Sequence, residues 1–199
     1  MLPLEENLRA PDAPMGYVSD MSASRTIHNL ALIGFMGTGK SSVGRMVAET
    51  LHFTFLDTDH VIEARAGKAI RDLFQQDGEP AFRDWEKRIV EELVRRDKTV
   101  ISTGGGLPAN PENLASLKTH ALVVCLWATP ETIAARVGGH DHRPLLNDAD
   151  PLVRIRELLA VRGPFYRQAD VLVNTEQRSV REVALQVIHQ FHAAQSGHR

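Results

Sequence analysis

The sequence predicts a three-layer α/β domain in which a five-stranded parallel sheet is flanked by helices on both faces. From residue 27 onward, short runs rich in β-branched and apolar residues alternate with longer segments whose apolar residues recur at helical spacing. Several of the short runs are almost continuously apolar, which is typical of strands buried on both faces of a parallel sheet. The predicted strands are residues 29–34, 53–57, 99–103, 121–127 and 171–174.

Two of the intervening segments show a clear apolar helical face. In such a sheet, ligands bind in the crevice at the carboxyl ends of the strands, so functional residues are expected in the loops that follow the strands. The apolar residues that share one face of the segment 79–97 are Phe82, Trp85, Ile89, Val90, Leu93 and Val94. Those of the C-terminal segment are Val180, Val183, Ala184, Val187, Ile188 and Phe191.

Composition and charge exclude several classes of partner. The 199 residues, 43% of them hydrophobic, suit one globular domain. The net charge of −2 lacks the basic bias of proteins that bind nucleic acid or anionic lipid. No apolar run approaches the ~18 residues that a membrane span requires. We therefore expect neither a nucleic-acid partner nor a membrane.

The N-terminus and the single cysteine indicate the compartment. Cys125 cannot form an internal disulfide, which fits a reducing environment. The first residues include Glu5 and Glu6 and lack the basic start and apolar stretch of a secretory signal. We expect a cytoplasmic protein in which residues 1–26 form a flexible extension and residues 27–199 form a single domain.

A phosphate-binding loop is predicted between the first strand and the following helix. Residues 34–41 read GFMGTGKS, which matches the pattern G-x-x-x-x-G-K-[ST] in the context that this motif requires. Glycines let the backbone N–H groups point at a polyphosphate, Lys40 reaches the β- and γ-phosphates, and Ser41 binds Mg²⁺. The motif predicts nucleoside triphosphate binding, but it does not separate a kinase from a GTPase or an ATPase. The predicted nucleotide-binding residues are Gly37, Thr38, Gly39, Lys40, Ser41 and Ser42.

Two carboxylates follow the second predicted strand. Asp57 and Asp59 stand at positions i and i+2, so on an extended strand end both side chains would point to the same side, toward the crevice. One could serve Mg²⁺ through water, and the other could hold or deprotonate an acceptor hydroxyl. The alternative is a turn or a helix cap, because Asp is a favoured N-cap residue.

Two further motifs follow along the chain. Arg83 and Glu86 are three residues apart on a predicted helix, where Arg83 could bind a substrate anion and Glu86 could orient it. A surface ion pair is the alternative. The third strand runs into three glycines, 104–106, which permit close backbone approach to a ligand. A flexible turn is the alternative there.

The order of these motifs resembles the shikimate kinase family. The sequence contains GxxGxGKS, DxD, FRxxE and GGG, then RPLL at 143–146, then Arg162 ahead of Pro164 and Tyr166. The resemblance covers about residues 27–190. It implies a P-loop NTPase fold of the nucleoside-monophosphate-kinase type, with a substrate-binding excursion over about 58–98 and a lid over about 137–150. It also implies Mg²⁺-dependent transfer of the γ-phosphate of ATP to the 3-hydroxyl of shikimate, on the route to chorismate, by a monomer.

The resemblance also assigns substrate and metal residues. Asp59 resembles the aspartate that contacts the acceptor hydroxyl, as base or as positioner, and Asp57 the carboxylate that orders Mg²⁺ through water, with Ser41 as the other metal residue. Arg83 and Arg162 resemble the arginines that grip the shikimate carboxylate. The substrate-binding set is Asp59, Arg83, Gly104, Gly105, Gly106 and Arg162.

On the nucleotide side, the resemblance assigns three arginines. Arg143 resembles the lid arginine that reaches the transferring phosphate, and with Lys40 and Asp59 it completes the predicted catalytic set. Arg136 resembles the arginine that stacks on adenine, and Arg178 is a second candidate for the adenine pocket.

Other interpretations of the same residues remain open at this point. A gluconate kinase shares the architecture, a ligand-sensing module used in gene regulation would need a DNA-binding segment, and an inactive copy would lack key residues. His140 and His142 have no obvious third ligand, so we do not expect them to bind metal. Trp85 and Trp127 are interpreted as packing residues.

Overall fold

The computed structural model describes residues 25–137 and 150–196. Five strands form one sheet in the order β2-β3-β1-β4-β5, and every neighbouring pair is parallel. The predicted α/β fold class is therefore confirmed. The strands are β1 Asn29–Ile33, β2 Thr54–Asp57, β3 Thr99–Ser102, β4 Ala121–Trp127 and β5 Val171–Asn174.

Helices connect the strands and cover both faces of the sheet. A short 3₁₀ helix, Leu107–Ala109, follows β3. In the described part of the chain the α-helices are α1 Lys40–Leu51, α2 Thr58–Ala66, α3 Ile70–Gln76, α4 Gly78–Leu93, α5 Pro111–His120, α6 Pro130–Val137, α7 Pro151–Tyr166 and α8 Val180–Ser196.

Strand β1 shows why the sheet is buried on both sides. Successive strand side chains point to opposite faces. Leu30 and Leu32 pack in the core that α1 and α8 cover, whereas Ala31 and Ile33 pack in the core on the opposite face. All four are inaccessible to solvent. The continuous apolar run that predicted this strand is therefore the direct result of two packed layers.

The strands keep their predicted positions, and the differences lie at their ends. β4 and β5 have the predicted bounds, while β1, β2 and β3 are each one residue shorter. β1 ends before Gly34 because that residue has a φ of 130°, which an extended strand does not allow.

Two residues that we placed on buried helical faces are exposed instead. Helix α4 ends at Leu93, so Val94 lies beyond the periodic face and is 47% exposed. Val180 is the first residue of α8 and is 40% exposed. The predicted lid and N-terminal extension lie outside the described residues apart from Val137, Asp150, Arg25 and Thr26. Among the helices of the described ranges, none is both long and apolar enough to cross a membrane.

The strand order divides the carboxyl edge of the sheet into two sides. The loop 34–39 follows the central strand β1. The segments after β2 and β3, which contain Asp59 and the three glycines, lie on one side of that loop. The segments after β4 and β5, which contain Arg136 and Arg178, lie on the other side. A ligand whose phosphates bind in the central loop could therefore contact one set of residues after β2 and β3 and a different set after β4 and β5.

Asp170 stabilises the sheet at the amino-terminal ends of its strands, where it stands immediately before β5. Its carboxylate is 3% exposed, accepts a hydrogen bond of 2.8 Å from the Val123 amide, and pairs with Arg25 and with Lys118 at 3.3 Å. Removing this acceptor would leave buried donors without a partner, which is strongly destabilising in a low-dielectric interior.

We expect Asp170→Ala to lower the free energy of unfolding by about 3 kcal/mol, because it breaks a buried ion pair and a buried hydrogen bond. Urea denaturation followed by circular dichroism measures this change. The control is Asp97→Ala, since Asp97 is 78% exposed and meets His28 only at 4.0 Å. That variant should stay within about 0.5 kcal/mol of the parent. Equal losses for the two variants would contradict the role of Asp170.

Candidate active site

The loop between β1 and α1 is shaped by glycines. Gly34, Gly37 and Gly39 have φ values of 130°, 76° and 92°, in the left-handed region that side chains disfavour. A Cβ on Gly34 would lie 2.1 Å from the carbonyl oxygen of Leu126, so the loop also depends on close contact with β4. The chain thereby enters the N-terminus of α1 with its backbone curled, as phosphate binding requires.

Lys40 and Thr38 close this loop from within. The Lys40 ammonium donates hydrogen bonds of 2.9 Å to the carbonyl oxygens of both Gly34 and Phe35. The Thr38 hydroxyl donates to the Phe35 carbonyl at 2.8 Å and is buried. The lysine charge is thus held at the mouth of the helix, where it adds to the positive end of the helix dipole. Ser41 and Ser42 follow on α1, and both are exposed.

Three side-chain oxygens lie close together beside the 34–39 loop. The Ser41 hydroxyl donates to Asp57 Oδ2 at 2.9 Å and lies 3.4 Å from the buried Ser102 hydroxyl, a residue that sequence reasoning did not single out. Hydroxyl and carboxylate oxygens next to a phosphate site suit Mg²⁺, which uses one or two carboxylates and takes its other ligands from phosphates and water. Within residues 25–137 and 150–196, no group of three or more His, Cys, Asp or Glu side chains is placed to hold a metal ion.

Asp57 and Asp59 are brought together by a different geometry from the one that we expected. The strand ends at Asp57, and α2 begins at Thr58, so the two carboxylates do not share an extended strand. Asp57 is the N-cap of α2 and accepts a hydrogen bond from the Asp59 amide at 3.2 Å. The capping alternative is therefore correct for Asp57, and the cap places Asp59 in the first helical turn.

The surroundings of Asp59 disfavour the ionised form of its carboxylate. Burial, and then the nearby charge of Asp57, raise its pKa from 3.8 to about 6, while Lys40 opposes this shift. Its Oδ1 atom is buried and has no hydrogen-bond partner among the described residues. A Cβ on Gly104 would lie 2.4 Å from that oxygen, so the glycine leaves the space that Asp59 uses. A buried oxygen without a hydrogen-bond partner keeps its capacity to accept a proton from a ligand.

Arg83 and Glu86 form a half-buried pair on α4. Arg83 Nη1 donates to Glu86 Oε2 at 2.7 Å, and Arg83 Nη2 donates to Glu79 at 2.7 Å. The Glu86 side chain is 1% exposed, and burial raises its pKa to about 7 despite the arginine. A Cβ on Gly106 would lie 2.8 Å from Arg83 Nη1. Because Glu86 is buried, this pair is not the surface ion pair that was the alternative interpretation of FRxxE.

Arg162 reaches the same place from α7. Its guanidinium lies over the ring of Phe35 at 5.9 Å, and a Cβ on Gly105 would lie 3.7 Å from its Nη1 atom. The charges of Asp59 and Arg162 both influence the pKa of Glu86. The structure therefore brings Asp59, Arg83 and Arg162 around one glycine turn, although they come from three separate parts of the chain.

The two predicted adenine residues lie on the other side of the loop. Arg136 donates to the Thr175 hydroxyl at 2.9 Å and to the Thr175 carbonyl at 2.7 Å, and it contacts the Gly37 carbonyl at 3.4 Å. Arg178 hydrogen-bonds Gln186. Glu176, which sequence reasoning did not single out, accepts hydrogen bonds from the Thr129 amide at 3.0 Å and the Thr132 hydroxyl at 2.7 Å. It thereby connects the segment after β5 to α6.

Residues of β4, α6 and α7, with Phe35 and Thr38 of the loop, line a largely apolar pocket of about 90 Å³. Phe35, Cys125, Trp127 and Tyr166 line it. Burial raises the pKa of the Cys125 thiol to about 12, so the thiol stays protonated. Trp127 and Trp85 pack against the core, as expected for both. The lid arginine, Arg143, and the two histidines at 140 and 142 lie outside the described residues.

Known proteins resemble this chain over most of its length. A family model for shikimate kinase matches residues 36–192. The shikimate kinase of Caldanaerobacter subterraneus is 44% identical over 163 residues, which cover 82% of this chain and 95% of that protein. The chain belongs to the shikimate kinase family. A shikimate kinase of Thermus thermophilus is 45% identical over 163 residues, which cover 81% of this chain and 89% of the relative.

Solved structures agree with membership of the shikimate kinase family. Shikimate kinase from Acinetobacter baumannii, in complex with shikimate, matches with a TM-score of 0.80 and 36% identity, covering 85% of this chain and 96% of that one. A gluconokinase from Sinorhizobium meliloti matches with a TM-score of 0.58 at 18% identity, covering 87% and 96%, and so shares the fold alone. The predicted family and the P-loop kinase fold are both confirmed.

The raised pKa of Asp59 predicts a stability gain on neutralisation. Because the pKa is higher in the folded than in the unfolded chain, the stabilising contribution of this group is full below pH ~4 and is lost as the pH rises through about 6. Asp59→Asn should therefore raise the free energy of unfolding at pH 7.5 by about 3 kcal/mol, with little effect at pH 4. Urea denaturation at the two pH values measures the difference.

Asp84→Asn is the matched control, because Asp84 is exposed on α4. Its effect should be small at both pH values. A destabilised Asp59→Asn protein at pH 7.5 would contradict the unfavourable surroundings that we assign to this carboxylate.

Proposed function

We propose that this protein transfers the γ-phosphate of ATP to the 3-hydroxyl of shikimate, giving ADP and shikimate 3-phosphate, with the residues in the roles described below. One observation carries the assignment of roles. Asp59, with a buried unpaired oxygen, lies between the lysine of the phosphate loop and the turn that Arg83 and Arg162 approach. An acceptor hydroxyl at Asp59 would thus face the phosphate while its anionic end meets two arginines.

The nucleotide occupies the loop and the β4–β5 side of the sheet. The backbone from Gly37 to Ser41 and the Lys40 ammonium hold the phosphates, because the curled loop and the start of α1 concentrate N–H donors and positive charge there. The adenine base then extends toward Arg136 and Arg178, since Asp59 and the glycine turn lie on the β2–β3 side of the loop.

Ser41 and Asp57 are the residues that would hold Mg²⁺, Ser41 directly and Asp57 through water. Their oxygens lie 2.9 Å apart beside the phosphate loop, which fits the donor set that this ion prefers. When bound, the ion neutralises charge on the phosphates and helps to orient them.

The acceptor is held by its carboxylate. The planar fork of an arginine side chain pairs with a carboxylate through two parallel hydrogen bonds, and two arginines from different helices fix its orientation. Arg83 is steadied for this task by Glu79 and Glu86, and Arg162 by contact with Phe35. The glycines 104–106 allow the ring of the substrate to approach the backbone.

The transfer itself is direct and in line. Asp59 accepts a hydrogen bond from the 3-hydroxyl and either positions it or takes its proton as the oxygen attacks the γ-phosphorus and the bond to ADP breaks. Lys40 stabilises charge on the transferred group. Arg143, from the segment between α6 and α7, adds positive charge and closes the site to water.

The family membership places the reaction in aromatic amino acid biosynthesis. A monomer in the cytoplasm, with residues 1–26 as an extension to one catalytic domain, is the arrangement that we propose.

The first test is release of ADP from MgATP by the purified protein, coupled to NADH oxidation, with and without shikimate. We expect turnover that depends on shikimate, because the paired arginines select an anionic acceptor. Asp59→Asn should still bind ATP but should lose this turnover. Preferential turnover of gluconate would contradict the proposed substrate.

The carboxylate clamp can be tested separately. We expect Arg83→Ala and Arg162→Ala each to raise the KM for shikimate about ten- to a hundred-fold, since each removes charged hydrogen bonds, while the KM for ATP stays within about two-fold. Arg88→Ala is the matched control, because Arg88 lies on the same helix but is exposed and stacks on Trp85. An unchanged KM for shikimate in both clamp variants would rule out the clamp.

A further inference from the structure

The three glycines of the 104–106 turn are fixed by hydrogen bonds from different parts of the chain. The Gly104 amide donates to the Thr58 hydroxyl at 3.0 Å. The Gly105 carbonyl accepts from the Tyr166 hydroxyl at 2.6 Å. The carbonyl oxygens of Gly104 and Gly106 accept from the short 3₁₀ helix that follows. Glycine has the largest conformational freedom of any residue, so a run of three needs such restraints to keep one shape.

The two hydroxyls are suited to this restraint. Thr58 is inaccessible to solvent and Tyr166 is 6% exposed, so water competes little for either bond. Burial also raises the pKa of Tyr166, which keeps its hydroxyl protonated and able to donate. Loss of the Thr58 hydroxyl would leave the buried Gly104 amide without its partner, and loss of the Tyr166 hydroxyl would do the same to the partly buried Gly105 carbonyl.

Each hydroxyl belongs to an element that also supplies a proposed substrate residue. Thr58 precedes Asp59 in the first turn of α2. Tyr166 stands four residues after Arg162 on α7, so the two side chains share a helical face. The bonds therefore connect the turn to the group that receives the acceptor hydroxyl on one side and to a group of the carboxylate clamp on the other.

We propose that Thr58 and Tyr166 are positioning residues for shikimate, which fix the 104–106 turn and set the spacing between Asp59 and Arg162. Neither residue touches the substrate. This inference rests on the proposed function. It predicts a defect on the acceptor side alone, because the nucleotide phosphates are held by the loop that follows β1.

The variants Thr58→Val and Tyr166→Phe remove the two hydroxyl oxygens with little other change in shape. We expect each to raise the KM for shikimate about ten-fold, because a backbone group of the turn loses its partner and the turn relaxes. The KM for ATP should stay within about two-fold. Isothermal titration of shikimate into each protein gives the same comparison at equilibrium.

Two control variants separate the hydroxyls from packing. Thr58→Ser keeps the hydroxyl and loses a methyl group, so its KM for shikimate should remain close to that of the parent. Cys125→Ala removes a sulfur from the cavity that Tyr166 also lines, without touching Gly105. It should likewise leave both KM values unchanged. A rise in the KM for shikimate in Thr58→Ser equal to that in Thr58→Val would overturn the proposal.

Hydrogen exchange in the ligand-free protein provides a readout that does not depend on catalysis. Peptides that contain residues 103–107 should exchange faster in Thr58→Val and Tyr166→Phe than in the parent, while peptides of the loop 34–39 should not. Unchanged exchange, or equal rises in both KM values, would mean that the hydroxyls do not position the turn. A parent protein that turns over no shikimate, yet shows the faster exchange in the variants, would instead refute the proposed substrate and support the restraint of the turn.

Discussion

The close approach of side chains to the backbone after β3 is the constraint on which the rest of the site depends. Two of the glycines there stand where a Cβ would collide with a charged atom, Asp59 Oδ1 at Gly104 and Arg83 Nη1 at Gly106. At Gly105, a Cβ would lie 3.6 Å from the Gly34 carbonyl oxygen. Three segments that are remote in sequence can converge only because this turn has no side chains.

That convergence costs electrostatic free energy. Glu86 is buried and Asp59 partly buried, both have raised pKa values, and each retains a buried oxygen without a hydrogen-bond partner among the described residues. Asp170, at the other end of the strands, contrasts with them. It is as deeply buried as Glu86, but its carboxylate is paired with Arg25, Lys118 and a backbone amide. The carboxylate at the amino-terminal ends of the strands therefore stabilises the fold, while those near the carboxyl ends keep hydrogen-bond acceptors available for ligands.

Much of the fold and part of the site could be predicted from the sequence, because the signals were local. Short runs rich in β-branched and apolar residues located all five strands, and the glycine pattern of residues 34–41 located the phosphate loop. The geometry around Asp59 could not be predicted in the same way, since a capping carboxylate and a strand-end pair have the same sequence pattern. Only the helix start at Thr58 distinguishes them.

The contacts that sequence reasoning missed join residues that are far apart in the chain. Tyr166 meets Gly105 across 61 positions, and Glu176 meets Thr132 across 44. A tyrosine or glutamate carries no local mark of a partner so far away. Val94 was misassigned for a simpler reason, because helical periodicity continues in the sequence past the residue at which α4 ends.

The burial of Cys125 has a practical consequence for spectroscopy. It is the sole cysteine in the sequence, lies in the central part of the sheet, and has a thiol that resists ionisation. Reagents such as maleimides attack the thiolate, so this sulfur reacts slowly while the fold is intact. A cysteine placed at an exposed position would then be labelled selectively without first removing the native one. The natural chain is thus already suited to carrying a single fluorophore or spin label that reports on substrate-dependent motion.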